Sequence, residues 1–64
     1  MVSDKTRSIA VAEFQDESGI TALLIHQIDP DTFYAVFDDG RLTHGFDTLD
    51  ELKKFLMKIG FQEI

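Results

Sequence analysis

His26 and His44, the two histidines of the chain, and twelve carboxylates are the side chains that could move protons or hold a metal. As a pair the histidines would make a metal site or a pH-sensitive element. Strand registers place both in one row of a sheet with Ala35 between them, about 9–10 Å apart. That is too far to share an ion without a third ligand, so each reads as a core or edge histidine bonded to backbone or to a carboxylate. The carboxylates collect at two poles. Asp16, Glu17, Asp38 and Asp39 belong to one, and Asp29, Asp31, Asp47, Asp50 and Glu51 to the other. Paired carboxylates could serve acid–base chemistry or bind Ca²⁺ or Mg²⁺. Asp29-Pro30-Asp31 lacks the ligand spacing of a calcium loop, however, and most of these residues suit turns and helix caps. A rigid acidic cluster can also imitate nucleic-acid phosphates and occupy a basic groove. Cysteine is absent, Ser8 and Ser18 lie outside any nucleophile elbow, and no glycine-rich phosphate loop occurs. The expectation is a non-enzyme with no metal and no cofactor.

Whatever these residues do, a few elements must position them. Asp39-Gly40 separates Phe33–Phe37 from Arg41–Phe46 and marks a tight hairpin. Thr48-Leu49-Asp50-Glu51 then reads as a capping box that opens a helix. Leu49, Leu52, Phe55, Leu56 and Ile59 fall within about 120° of one another on it, and Met57 lies off that stripe. Acidic residues at its start and Lys53, Lys54 and Lys58 towards its end suit the helix dipole. Gly60 fits the left-handed position after the helix, which would fold Phe61 back on Leu56. Upstream, Ile9–Phe14 and Ile20–Ile28 flank the turn-forming Gln15–Gly19, and Asp29-Pro30-Asp31-Thr32 separates them from Phe33. The order predicts an α+β fold: a four-stranded antiparallel meander with one C-terminal helix packed on one face, ββββα. Residues 1–8 read as a flexible N-terminal segment and residues 9–64 as one domain.

Side chains alternate between the faces of a strand, so the turns assign every residue to a side. Counting from them pairs Phe37 with Leu42, Ala35 with His44, Phe33 with Phe46, Ile28 with Phe33, His26 with Ala35, and Phe14 with Ile20. One face then holds Ala10, Ala12, Phe14, Ile20, Ala22, Leu24, Ile28, Phe33, Ala35, Phe37, Leu42 and Phe46, and the helix belongs there. The other carries Ile9, Val11, Leu23, Ile25, Tyr34 and Val36, where a solvated sheet face should be polar. No second helix is left to cover it. These six residues are the candidate interface, with Tyr34 as an anchor that has a polar tip.

Sixty-four residues allow one modest core, and without cysteine no disulfide reinforces it. A second copy packed face to face would add the missing burial. The formal net charge of −6 argues against direct binding to nucleic acid or to an anionic membrane, since both depend on Lys and Arg. Neither a signal peptide nor a membrane-spanning run is visible, so a cytoplasmic location is the default expectation.

Gly45-Phe46-Asp47-Thr48-Leu49-Asp50-Glu51-Leu52 resembles the strand-to-helix junction of HicB-type antitoxins over those eight residues. The proline- and cysteine-containing strand motif of that family is missing, so no functional residue transfers. The leading expectation is a small acidic interaction module, homodimeric through the helix-free face, that acts by binding another protein. The alternative is an acidic nucleic-acid-mimicking inhibitor or an antitoxin-like protein of a phage or mobile element, working through Asp16, Glu17, Asp38 and Asp39.

Overall fold

The computed structural model describes residues 7–28 and 31–64. Four antiparallel strands form one sheet with a single helix, which is the α+β class expected. The elements run β1 (Arg7–Gln15), β2 (Thr21–Ile28), β3 (Thr32–Phe37), α1 (Leu49–Lys58) and β4 (Gln62–Glu63), and the sheet order is β3-β2-β1-β4. Arg7 and Ser8, read from sequence as part of the N-terminal segment, already belong to β1. The rest of that segment, and the turn residues Asp29 and Pro30, lie outside the described residues.

The strand at β1's outer edge comes after the helix. Residues 41–46, expected as a regular strand, run beside β3 through two isolated bridges, Val36↔Leu42 and Phe33↔Phe46. The Asp38-Asp39-Gly40 turn explains this. The Gly40 N–H donates to the Phe37 carbonyl at 2.9 Å and the Phe37 N–H to the Arg41 carbonyl at 2.8 Å, with Gly40 at φ 94°. A three-residue loop ending in left-handed glycine has replaced the two-residue turn. Leu42 therefore faces Val36 instead of Phe37. Thr43 takes the place beside Ala35 expected for His44, donating its N–H to the Ala35 carbonyl at 3.0 Å while its hydroxyl accepts the Ala35 N–H at 3.0 Å. Phe33 still pairs with Phe46, so the arm carries one extra residue in between.

The other two registers move by two residues. Asp16 draws Ile20 into its turn: the Asp16 N–H donates to the Ile20 carbonyl at 3.0 Å, and its Oδ1 accepts the Ile20 N–H at 2.9 Å. Phe14 therefore faces Ala22, and Ala12 faces Leu24. Between β2 and β3, Leu24 faces Ala35 and His26 faces Phe33. A shift of two preserves the faces. One irregularity does not. Between Ala10 and Ala12 the β1 register slips by one, which leaves Val11 as a bulge and pairs Ile9 with His26 and Ala10 with Ile25.

The helix lies where its apolar stripe and the sheet's alanines meet. Phe14, Ala22, Leu24, Ala35, Leu52, Leu56 and Phe61 form the buried core, with no polar side chain buried among the described residues. Ala22 and Ala35 leave room for Leu52 and Leu56 to approach the sheet. The Thr48 hydroxyl caps the helix by accepting the Glu51 N–H at 3.2 Å. At the other end Gly60, at φ 106°, donates to the Met57 carbonyl at 3.2 Å, and the Phe61 N–H donates to the Leu56 carbonyl at 2.9 Å. That Schellman pattern turns Phe61 back into the core as the sequence predicts. Ile59, counted in the stripe, is left largely exposed at the end of the helix, as is Met57. The Lys53 ammonium reaches Glu63 at 3.5 Å and joins the helix to β4.

Candidate interaction face

Residues paired across an antiparallel ladder share a face, so the registers define what lies on the side away from α1. Two rows cross the middle of that face: Glu13–Leu23–Val36 and Ala10–Ile25–Tyr34. Two polar rows bound them, Gln15–Thr21 at one end and Ser8–Gln27–Thr32 at the other. Leu23 keeps 39% of its surface exposed and Val11, at the bulge, 38%. Ile25, Tyr34 and Val36 are half-buried by their neighbours along the sheet. Five of the six candidate residues are thus gathered in or beside one apolar band.

Ile9 is the exception. The bulge at Val11 turns it to the helix side, in the row Ile9–His26–Phe33, where it is half exposed. Two residues join the band that the sequence reading did not include. Leu42 stands opposite Val36 at the β3 edge, and the Ile64 N–H donates to the Glu13 carbonyl at 2.9 Å, which continues the Glu13 row. Both are well exposed. The Asp38-Asp39-Gly40 spacing could have revealed Leu42. Ile64 needed knowledge that the chain returns to β1 after the helix.

No family model, curated protein or solved structure matches this chain. Its functional reading therefore rests on its own geometry.

The histidines do not form a pair. His26 stacks on Phe33, with ring centroids 4.3 Å apart and planes 14° apart, and its Nε2 lies 3.1 Å from Asp31 Oδ1. His44 packs on Phe46 at 4.3 Å and meets Phe55 edge-on at 5.8 Å. Among the described residues no three His, Asp or Glu side chains converge as a metal site would need.

The acidic residues Asp16, Glu17, Asp38 and Asp39 do come to one pole. The Asp38 N–H donates to the Thr21 carbonyl at 3.0 Å and Asp38 Oδ2 accepts the Thr21 N–H at 3.3 Å, which ties the two turns together. Three of the four carboxylates are occupied in building those turns. Partial desolvation pushes the Asp16 carboxyl upward, but hydrogen bonds from the Ser18 hydroxyl and from the Ile20, Ser18 and Gly19 N–H groups outweigh it and hold the group below the usual range. Asp39 is lowered chiefly by the Arg41 N–H; desolvation opposes this, and the Arg41 guanidinium, 2.7 Å away, adds a further lowering. Glu17 is exposed to solvent.

Beside the helix, a groove of about 420 Å³ separates α1 from residues 41–44, floored by Phe37, Phe55 and Phe61. It follows from the arm's failure to form a regular strand. No helix among the described residues is long and apolar enough to cross a membrane.

Proposed function

We propose that this chain is a small acidic interaction module that works without catalysis and pairs with a second copy through its helix-free sheet face. The observation that carries the reading is the double row of Leu23, Val36, Ile25 and Tyr34, flanked by Val11, with nothing among the described residues packed over it. Charge favours a second copy as the occupant. The chain has a net charge of −6, yet of the residues that the registers place on this face only Glu13 is charged. Two such faces can meet without bringing their acidic poles together. A basic partner would find little here to attract it.

The footprint is small. Strands about 4.8 Å apart rising about 3.3 Å per residue give a flat patch of roughly 15 by 25 Å, on the order of 400 Å² before side-chain relief. That lies below the roughly 800 Å² per partner of an ordinary stable interface, so the pairing expected is a weak one. Burying the band also supplies apolar contact that a domain of this length lacks alone. The experiment is a mixed sample of isotope-labelled and unlabelled protein. Intermolecular contacts from the Tyr34 ring to the methyls of Leu23, Ile25 and Val36 are expected, and their absence contradicts the reading.

The acidic pole supports a second reading, mimicry of nucleic acid, because the two turns hold Asp16, Glu17, Asp38 and Asp39 together. It predicts salt-sensitive binding to a basic nucleic-acid enzyme that is lost on Asp38→Asn with Asp39→Asn. The engagement of Asp16, Asp38 and Asp39 in their own turns gives that reading less support.

A further inference from the structure

The outer edge of β1 is half open. β4 pairs only with Phe14 and Gln15, and the Ile64 N–H adds one bond to the Glu13 carbonyl at 2.9 Å. No other strand among the described residues lies along the edge over residues 7–12. Arg7 to Val11 are exposed and Ala12 is half-buried, with Ile9 at 51% and Val11 at 38% of their full surface. Backbone N–H and C=O groups need partners, and a row of them at a sheet edge is a template for another extended chain.

We propose that the β1 edge over residues 7–12 takes up an extended segment of another protein, which adds to the sheet as a further strand. The site has a definite length. β4 closes one end, and six residues at about 3.3 Å each leave room for a segment of about 20 Å. The added strand runs beside Ile9 on the helix side and Ala10 on the other, with the Val11 bulge next to them.

The bulge decides between another protein and a second copy. Two β1 edges related by a two-fold axis would set bulge against bulge, each with a residue out of register. An unbulged segment has only one bulge to accommodate, and bulges of this kind discourage edge-to-edge self-pairing. Charge refines the partner's chemistry. Arg7 is the one charged residue on this stretch of an otherwise acidic chain. The segment that fits carries alternating apolar side chains and a carboxylate near Arg7. Main-chain bonds give such a contact its affinity, and the side chains give it selectivity. The backbone edge lies beside the Leu23–Val36 row, and Ala10 and the Val11 bulge border both contacts.

The test uses the intact, ¹⁵N-labelled protein and a blocked peptide of about six residues that alternates valine and threonine and contains one glutamate. Titration into the millimolar range is expected to shift the amides of residues 7–12 and slow their hydrogen exchange. Arg7→Glu weakens binding about two- to fivefold, the effect of a reversed cross-strand charge pair. Lys54→Gln, on the solvent side of the helix, leaves it unchanged. Unmoved amides at 7–12, or shifts confined to the groove beside the helix, overturn the proposal. Shifts of those amides with protein concentration alone in Leu23→Glu, where pairing through the sheet face is lost, assign the edge to self-pairing and overturn it equally.

Discussion

The two faces of this sheet are built from the same strands and both carry apolar rows, yet only one is closed. On the helix side, Ala22, Leu24 and Ala35 are completely buried, because small residues at the centre let Leu52 and Leu56 approach. On the far side, Leu23, Ile25 and Val36 occupy neighbouring positions on the same strands and remain open or half open. Strand alternation sorts residues into faces but does not cover either. Covering depends on which face matches the helix stripe. The other face keeps apolar surface that packing within this domain does not explain, and there a functional contact is best sought.

The comparison is broken most sharply on the covered side. Leu56→Ala should lower the unfolding free energy by about 2–5 kcal/mol, because it leaves a cavity between helix and sheet. For a domain this small that removes much of its stability, and urea unfolding at pH 7 measures it. An equal loss for Leu23→Ala in a sample shown to be monomeric would mean that the two faces do not differ. Next in size is the effect of association. Wild-type thermal midpoints should rise with protein concentration, as they must when folding is coupled to pairing, and in Leu23→Glu that dependence should vanish. Scans over a hundredfold concentration range decide this.

The frame shared by both faces can be tested through smaller effects. Gly60→Ala forces a side chain into the left-handed turn that seats Phe61, at a cost of about 1 kcal/mol by denaturant midpoint. The smallest effect is that of acid. The Asp16 and Asp39 carboxyls are held below their ordinary value of 3.8 in the folded chain. Their contribution is therefore present above the unfolded-state pKa and is lost as pH falls through the folded one. Stability should hold from neutral pH down to about pH 5 and decline below about pH 4. Asp16→Asn should remove part of that decline. Stability that increased on acidification would contradict the account of the turns.

Most of this architecture was legible in local chemistry. The helix from Thr48 to Gly60 is specified by a cap, an apolar stripe and a terminal glycine, three signals that agree, and it formed with those bounds to within a residue. The face assignments on β2 and β3 held although the turns moved their pairing, because each pairing shifted by two residues. What could not be read was the bulge at Val11. Arg7–Ala12 alternates no differently from a regular strand, and the slip appears only when β2 is laid beside it. That one residue moves Ile9 off the candidate face and puts Ala10 in its place. Gln62-Glu63 was equally hidden, since two residues carry no strand period and pair only because the Schellman turn aims them at β1. The Asp38-Asp39-Gly40 turn was legible as a turn, but its length depended on how residues 41–46 packed afterwards.

The central claim is that the helix-free face is closed by a second copy. Light scattering on the eluting wild-type protein measures this most directly. The account predicts twice the 7.3 kDa mass of a single chain, reverting to one chain in Leu23→Glu. A wild-type mass of 7.3 kDa at high micromolar concentration would contradict it.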